Sequence, residues 1–284
     1  MHESGHELGI VSRQEHVGIF RADLIHAHGV ADIDQPLSIL PEVRARAYDL
    51  ALIATEKPYG YLLAYEAGIP ERIGFVNGLA KPFKGAWVRR LCTEVRRRGF
   101  SLFPRHEVEL LFELGRGRHW EIEPTFELDC LRELFFPRRV PRRAVLAVQV
   151  TEKWRSYGIY PTFLAFLAEI AREAPVRLIG AVAEEEILAE TEERSGIPVK
   201  RHRNVTSWIR AIASSRALLT PDTGAAHVAG MVGTSVIDVF PNGASGRFQD
   251  RWRPWASPIV LMLNAKNLSR QDPRTMYEAV MGIS

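Results

Sequence analysis

The sequence predicts an α/β protein with parallel β-sheets, and three observations carry this prediction. From residue 144 onward, short apolar runs rich in β-branched residues alternate with segments whose apolar residues recur at helical spacing. The first half of the chain shows the same alternation less regularly. Between the halves, residues 136–143 contain two prolines and four arginines, which make a poor helix or strand. Strands that alternate with helices in this way imply right-handed crossovers and parallel sheets.

The C-terminal half opens with a strand and a helix. Residues 144–150 form an apolar, β-branched run that is typical of a buried strand. Pro161 then opens a helix, because proline suits the first helical position. One face of this helix carries apolar residues at i, i+3, i+4 and i+7, namely Phe163, Phe166, Leu167 and Ile170. The pattern predicts an amphipathic helix soon after the first strand.

The rest of the C-terminal half follows the same two periods. Further strands are predicted at residues 176–179, 217–220 and 235–240, and helices at residues 184–194, from Asn204 onward, and at residues 224–231. Gly196 is expected to end the first of these helices and Asn204 to cap the second. A weaker helical pattern covers residues 272–283. The series predicts a Rossmann-like domain.

The N-terminal half predicts a second domain of the same kind. Strands are expected at residues 8–12, 49–54 and 72–75, and helices at residues 58–67 and 106–114. Because the segment at residues 136–143 breaks the pattern, we place the domain boundary there. The expected domains are residues 1–140 and residues 141–284.

The composition is that of a globular protein. Hydrophobic residues make up 46% and charged residues 25% of the 284 residues. No apolar run approaches the roughly 20 residues of a membrane span, and the first residues do not resemble a signal peptide. Cys92 and Cys130 show no metal-binding spacing and indicate a reducing compartment. We expect a cytoplasmic location.

Basic residues are unevenly distributed, although the net charge is only +3. Two segments are crowded with them: the first contains Lys81, Lys84, Arg89, Arg90, Arg96, Arg97, Arg98 and Arg105, and the second Arg138, Arg139, Arg142 and Arg143. Guanidinium groups pair well with phosphate oxygens. The simplest interpretation is a solvated helix face. A phosphorylated acceptor, an anionic membrane surface and nucleic acid are the alternatives.

The most informative motif is the turn between the predicted strand at residues 217–220 and the helix at residues 224–231. In a parallel sheet, ligands bind outside the carboxyl ends of the strands, where the first N–H groups of a following helix attract anions. Gly224 would let a phosphate approach the backbone, and the Thr223 hydroxyl would add a donor. His227 shares their helical face. The motif predicts a diphosphate-binding site.

Each residue of this motif also has a purely structural interpretation. Asp222 is a suitable helix N-cap, Gly224 a common turn residue, and His227 a buried histidine whose ring is satisfied. Asp-Thr-Gly-Ala is also the active-site sequence of retroviral-type aspartic proteases. That function requires a β-hairpin and a second aspartate from another lobe or subunit, whereas here a helix follows the motif.

Together with its surroundings, the motif resembles the family 9 glycosyltransferases of the lipopolysaccharide heptosyltransferase type, which carry Asp-Thr-Gly-x-x-His at the start of a helix in their second domain. The resemblance covers residues 45–265. Other segments match the family in the same order: Tyr48 to Ile53, Ala67 to Phe75 including Arg72-Ile73-Gly74-Phe75, His106 to Glu109, Lys153-Trp154, and Gly180 to Glu184.

The resemblance implies a GT-B fold, in which two Rossmann-like domains face each other across a cleft, and an inverting glycosyl transfer that needs no bound metal. The donor would be a nucleotide sugar, ADP-linked, carrying heptose or a related sugar. Its implied binding residues are Lys153, Glu184, Asp222, Thr223, Gly224 and His227. A lipopolysaccharide-type or other glycan acceptor would bind the other domain, where Lys81, Lys84, Arg89 and Arg90 offer positive charge. The resemblance implies no cofactor and no nucleic-acid partner, and it allows peripheral contact with the inner face of the cytoplasmic membrane.

The N-terminus departs from the family pattern. Family members begin with a strand and a Gly-Asp turn whose aspartate is the proposed general base, but the sequence contains no Gly-Asp dipeptide. The strand at residues 8–12 resembles the family's second strand, so the first strand and helix are expected to be absent. Asp32 and Asp34 are nearby carboxylates, each consistent with an ordinary loop residue. The catalytic base is therefore left unassigned.

Three hypotheses follow from the sequence. The first is an active glycosyltransferase, the second a catalytically inactive protein that binds nucleotide sugars or acts as a scaffold, and the third a nucleic-acid-binding module built on the arginines of residues 89–98. A sheet that lacks a central strand exposes two edges. We therefore expect the N-terminal domain to be less stable than the C-terminal one, or to be completed by a partner.

Overall fold

The protein is described by a computed structural model that covers residues 6–55, 57–76, 82–98, 106–115 and 140–282. The chain divides into two compact units, Met1–Phe126 and Glu127–Ser284, called unit 1 and unit 2. The predicted boundary between residues 140 and 141 stays a prediction, because residues 116–139 lie outside the described part of the chain. Cys130 and the arginines at 138 and 139 lie in the same stretch.

Unit 1 contains five described strands in two separate parallel sheets. The strands are β1 (Leu8–Arg13), β2 (Ile25–Val30), β3 (Leu50–Ile53), β4 (Glu71–Val76) and β5 (Glu94–Arg97). β1 pairs with β2, and the second sheet has the order β3-β4-β5. Among the described residues, β1 and β3 are therefore both edge strands.

The helices of unit 1 cover these sheets. They are α1 (Leu40–Ala45), α2 (Pro58–Glu66), α3 (Pro82–Leu91) and α4 (Glu107–Gly115), with 3₁₀ turns at Gln14–Ile19 and Pro36–Ile39. The unit has its own apolar core, in which Tyr61 of α2 and Val88 of α3 are fully buried. Arg72 of β4 donates to the carbonyl oxygen of Leu91 at 2.7 Å. This bond ties the end of α3 to the sheet.

Unit 2 is built on one six-stranded parallel sheet. Its strands are β6 (Arg143–Gln149), β7 (Val176–Ala181), β8 (Val199–His202), β9 (Ser215–Pro221), β10 (Ser235–Phe240) and β11 (Val260–Asn264). The spatial order is β11-β10-β9-β6-β7-β8. Counted from β6, this is the order 3-2-1-4-5-6 of a Rossmann fold. The sequence-based expectation of a Rossmann-like C-terminal domain is confirmed.

Seven helices of the described chain belong to unit 2. They are α5 (Lys153–Ser156), α6 (Tyr160–Glu173), α7 (Glu185–Ser195), α8 (Val205–Ala213), α9 (Gly224–Met231), α10 (Gly246–Trp252) and α11 (Pro273–Met281), with 3₁₀ turns at Val182–Glu184 and Ala265–Arg270. Gly196 ends α7 in a left-handed conformation, as predicted. The side chain of Asn204 accepts a bond from the Ser207 N–H and caps α8, also as predicted.

The core of unit 2 contains the predicted apolar face of α6. Phe163, Phe166, Leu167 and Ile170 are all buried. Trp154 of α5 stacks on Phe163 with ring centroids 4.3 Å apart, and its indole N–H donates to the Gln149 carbonyl at 2.8 Å. Fully burying each such side chain contributes about 1.5–3 kcal/mol. This packing fixes the position of α5 beside the end of β6.

Several elements were not predicted from the sequence: β2, β5, β8, β11, α1, α3, α5 and α10. β5 and β8 are four-residue strands that carry charged residues in place of an apolar run; β8 reads Val-Lys-Arg-His. None of the helices in the described segments is long and apolar enough to cross a membrane.

Candidate functional site

The candidate site lies where the sheet of unit 2 reverses its strand order. β6 and β9 are neighbours in the sheet, although β7 and β8 intervene in sequence. Their crossovers leave in opposite directions and open a crevice at the carboxyl ends, which is where open α/β sheets bind ligands. α5 follows β6 and α9 follows β9 at this edge. The predicted site residues lie on the segments that leave this edge.

Lys153 is held at the turn before α9. Its ammonium group donates a hydrogen bond to the backbone carbonyl of Asp222, and its Nζ lies 6.0 Å from the centroid of the Tyr157 ring. The sequence had suggested that Lys153 lies in a loop, but it belongs to the one-turn helix α5. The structure thus brings Lys153 and the Asp222–Gly224 turn together.

Thr223 caps α9 with its side chain. Its hydroxyl accepts from the Ala225 N–H at 3.1 Å and donates to Gln149 Oε1 at 2.9 Å. Thr220 also donates to Gln149 Oε1. Asp222 is therefore not the N-cap, and the Thr223 hydroxyl is engaged within the protein, contrary to its predicted role as a free donor. The role of Gln149 in this turn was not predicted from the sequence. The one indication of it was a polar residue at the end of an apolar strand.

The backbone at the start of α9 remains available to an anion. No described residue accepts a hydrogen bond from the N–H of Thr223 or Gly224. Gly224 is exposed, and a Cβ added there would meet nothing within 4 Å. The helix dipole adds partial positive charge at this end. These N–H groups lie at the turn for which the sequence predicts a bound anion, and that anion stays a prediction.

Glu184 lies beside the same edge, at the end of the 3₁₀ turn after β7. Its Oε1 accepts from the Thr151 hydroxyl at 2.6 Å and from the Glu152 N–H at 3.0 Å. The carboxylate thereby holds the segment that carries Lys153. Gly180 lies inside β7 and not in a turn; a Cβ there would meet Leu188 Cδ2 at 2.3 Å, so packing explains this glycine.

Burial dominates the electrostatics of the site. It raises the pKa of Asp222, while Lys153 and His227 act in the opposite direction. It lowers the pKa of His227, against the effect of Asp222, so the imidazole is uncharged at neutral pH. Burial, helped by Asp222 and Asp238, raises the pKa of Tyr157 to about 12. His227 and Tyr157 are therefore neutral at pH 7. Lys153 is the cation in contact with the Asp222–Gly224 turn.

The basic residues predicted to bind an acceptor lie in unit 1. Arg89 and Arg90 are exposed on α3 and Lys84 is half-buried there, whereas Lys81 lies outside the described residues. Part of the basic segment is neutralised locally, because Arg96 pairs with Glu94 at 2.7 Å and Arg98 pairs with Glu107. The predicted cluster is therefore smaller than the sequence suggests.

Asp32 and Asp34 both make local bonds. Asp32 Oδ1 accepts from the Asp34 N–H at 2.9 Å, and Asp34 Oδ2 pairs with Lys57 Nζ at 3.1 Å. These contacts match the ordinary loop interpretation of both residues, and nothing in them points to a catalytic base.

A polar cluster that was not predicted lies in unit 1. His26 and His28 alternate on β2, and Glu42 Oε1 lies 3.2 Å from His26 Nε2 and 2.8 Å from His28 Nδ1. These three could geometrically hold a metal ion. However, His26 Nδ1 faces the Arg46 guanidinium at 2.9 Å, and His28 Nε2 bonds to the Tyr48 hydroxyl. The cluster is satisfied as a hydrogen-bonded network, and a nearby guanidinium opposes a cation.

Comparisons with known proteins agree with the fold. No family model and no curated protein matches the sequence. The chain is similar to E. coli ADP-heptose LPS heptosyltransferase II, with 16% identity and a TM-score of 0.66 over 98% of this chain and 89% of that one. It is also similar to E. coli heptosyltransferase WaaC with ADP, with 14% identity and a TM-score of 0.68 over 98% of this chain and 90% of that one. A family 9 glycosyl transferase from Veillonella parvula (14%, 0.66) matches over 98% of this chain and 88% of its own.

These likenesses define the class of fold. The chain has the α/β GT-B fold of the heptosyltransferases and family 9 glycosyltransferases, as the resemblance in sequence had implied. At this level of identity the likeness concerns fold, and what the chain binds or transfers rests on its own residues.

Proposed function

We propose that the protein is a glycosyltransferase of the heptosyltransferase type that uses a nucleotide-sugar donor. The observation that carries the proposal is the bond between Lys153 and the Asp222 carbonyl at the strand-order reversal of unit 2. It places a cation beside two backbone N–H groups at the start of a helix. A diphosphate is the ligand that this combination of charge and donors suits best.

In this proposal, unit 2 binds the donor and stabilises its leaving group. As the glycosidic bond to the diphosphate breaks, negative charge develops on the phosphate oxygens. Lys153 and the N–H groups of Thr223 and Gly224 would balance this charge, which is the role of fixed donors in a transition state. A protein cation in that position would allow the transfer to proceed without a bound metal, and inversion at the anomeric carbon is proposed from the family resemblance alone. His227, uncharged, would support the turn.

The donor is proposed to be ADP-linked, with heptose or a related sugar. E. coli WaaC, which shares the fold, has been solved with ADP and with ADP-2-deoxy-2-fluoro heptose. In this chain, Asp222 would accept hydrogen bonds from sugar hydroxyls. Glu184 has one carboxylate oxygen engaged by Thr151 and Glu152, which leaves its other oxygen for ribose or base groups.

The acceptor is proposed to be a lipopolysaccharide-type or other glycan that carries anionic groups, bound by unit 1. Arg89 and Arg90 of α3, both exposed, would contact its phosphates, together with Lys84 and Lys81. The same arginines suit peripheral contact with an anionic membrane surface. We propose that the protein is cytoplasmic and that this surface is the inner face of the cytoplasmic membrane. Nucleic acid is not among the proposed partners.

A second candidate is a protein that binds nucleotide sugars without transferring them. The local bonds of Asp32 and Asp34 favour it, because they engage the two carboxylates that the sequence offers as alternative general bases. Incubation with ADP-heptose and a heptose-deficient lipopolysaccharide distinguishes the two. Release of ADP with a mass increase of the acceptor supports transfer, whereas donor binding with neither product supports the second candidate.

Calorimetric titration with ADP tests the donor site itself. Removing the Lys153 ammonium in Lys153→Ala deletes a charge-assisted hydrogen bond, so the affinity for ADP should fall by about 10- to 100-fold. Lys200→Ala is the matched control, because Lys200 is an exposed lysine on the edge strand β8. Equal affinities of both variants and the wild type would refute the assignment of Lys153.

A further inference from the structure

Asp238 is a buried carboxyl without hydrogen bonds. It lies in β10, its exposed fraction is 0%, and neither of its oxygens has a hydrogen-bond partner among the described residues. Buried side-chain polar groups in folded proteins are nearly always hydrogen-bonded. A carboxyl in the middle of an apolar strand is therefore an exception that requires a physical account.

The position of Asp238 connects it with the candidate site. In the strand register it stands opposite Thr220 of β9 on one side and Met262 of β11 on the other. The carbonyl of the next residue, Val239, accepts a hydrogen bond of 2.9 Å from the Asp222 N–H. Asp238 is thus one residue away from the bond that holds the Asp222 backbone.

The charged groups around Asp238 belong to the same site. Asp222, at the end of β9, and Lys153, on α5, act on it electrostatically. Tyr157, which follows α5, is buried, and Asp222 and Asp238 both add to the rise of its pKa. The phenol is therefore neutral at pH 7. His227 of α9 acts on Asp222 and is also neutral at pH 7. From β11, the residue in register with Asp238 is Met262, which does not titrate.

We propose that Asp238 carries a proton at neutral pH, so that Asp222 and Asp238 together present a single negative charge, located on Asp222, to a bound diphosphate. An ionised Asp238 would be a buried charge with no hydrogen bonds, which is strongly unfavourable. Burial raises its pKa well above the ordinary value, the charge of Asp222 adds to this, and Lys153 opposes it. In the coupled pair, Asp222 ionises first.

The shared charge matters because the ligand is itself an anion. With Asp238 protonated, Lys153 balances Asp222 and the site has no net charge from these three groups. If Asp238 lost its proton, the site would gain a second negative charge and repel the diphosphate. Asp238 is in this sense a positioning residue, acting through the charge of the site. The diphosphate rests on the proposed function, whereas the proton on Asp238 does not.

The proton can be observed directly by infrared spectroscopy of the full chain with ¹³C-labelled aspartate. The wild type should show the C=O stretch of a protonated aspartic acid at pH 7, and Asp238→Asn should lack it. Asp250→Asn, at an exposed aspartate, is the matched control and should keep the band. Absence of the band from the wild type at pH 7 would overturn the proposal.

A second variant keeps the test valid if Asp238→Asn does not fold. In Asp222→Asn the neighbouring charge is gone, so the band should disappear at a lower pH than in the wild type. A band that disappears at the same pH in both proteins would belong to a carboxyl remote from Asp222, and this too would overturn the proposal.

The effect on ligand binding is measured with ADP across the pH at which the band disappears. Above that pH the affinity of the wild type should fall about tenfold per pH unit, the slope of one proton, while Asp238→Asn stays level. Parallel profiles of the two proteins on both sides of that pH would contradict the charge argument. Failure of the wild type to bind ADP at any pH would refute the proposed function and leave the infrared result standing.

Discussion

Gly224 separates function from stability more cleanly than other residues of the site. It is exposed at the first position of α9, its φ is not in the left-handed region, and a Cβ there meets nothing within 4 Å. Alanine at this position therefore fits the fold and is a better helix former. If a phosphate approaches the Gly224 N–H, however, the added methyl group stands in its way.

We therefore expect Gly224→Ala to melt at the temperature of the wild type or slightly above, while its affinity for ADP falls by at least about tenfold, the loss of one charge-assisted hydrogen bond. Circular dichroism gives the melting temperature and calorimetry the affinity. Unchanged affinity with unchanged stability would show that no anion approaches this backbone.

At this scale the sequence identified the charged and turn residues better than their partners. Lys153, Glu184 and Asp222 lie together because each follows the carboxyl end of a strand, which the alternation of elements makes predictable. Gln149 and Asp238 were missed, although each is a polar residue in an apolar strand. Whether such a side chain finds a hydrogen-bond partner depends on which strands are neighbours in the sheet. The sequence pattern does not specify the order of the strands.

At the scale of secondary-structure elements, α9 is held against the loop before β11. A Cβ on Gly230, in the last turn of α9, would meet the Trp255 carbonyl oxygen at 1.8 Å and its carbon at 3.0 Å. This close approach of two backbones requires glycine, whereas Gly224 at the other end of the same helix is open. The two glycines are therefore a matched pair on one element.

Gly230→Ala should consequently destabilise the protein by about 1–3 kcal/mol, the usual cost of forcing an extra methyl group into a packed site. Thermal or urea unfolding measures the change, with Gly224→Ala as the control on the same helix. A Gly230→Ala variant as stable as that control would mean that α9 is not packed on the Trp255 segment as described.

Elements with a strong apolar period were the predictable ones. The strand Ser235–Phe240 has the predicted bounds, and α6 buries the predicted face. β8 was missed because it lies at an edge of the sheet, where a strand has only one neighbour and a less apolar sequence suffices. β11, at the other edge, carries an apolar run, Val-Leu-Met-Leu, that was overlooked. The polar cluster of His26, His28 and Glu42 was missed with β2, since its members meet only when α1 packs on that strand.

At the scale of the whole molecule, the two units differ in the sheets that their described strands form. Unit 2 has one continuous sheet of six strands, whereas the described strands of unit 1 form separate sheets of two and three. Short sheets protect fewer backbone groups and cover less of their apolar faces. The prediction of a less stable N-terminal half rests here on this difference between the described sheets.

Amide hydrogen exchange measures the difference within one sample. We expect the amides of β1 and β2 to exchange faster than those of β6 and β9, with lower free energies of opening. The two units serve as each other's control because temperature and pH are shared. Equal protection of both sheets would contradict the prediction, unless a bound partner is shown to supply it.

The class of fold was predictable at this scale because the alternation of strands and helices implies parallel sheets. The substrate was not, because one fold hosts many chemistries and the site must be argued from its own groups. The sequence predicted a Rossmann-like domain but not the order of its strands. The order 3-2-1-4-5-6, in which β6 and β9 are neighbours, is known from the structure.

The proposed function requires a diphosphate to bind between Lys153 and the start of α9. A crystal structure of the protein with ADP would show whether it does. We expect phosphate oxygens within hydrogen-bonding distance of Lys153 Nζ and of the N–H groups of Thr223 and Gly224, with the Lys153 ammonium turned from the Asp222 carbonyl toward the ligand. ADP bound elsewhere, with Lys153 still on that carbonyl, would contradict it.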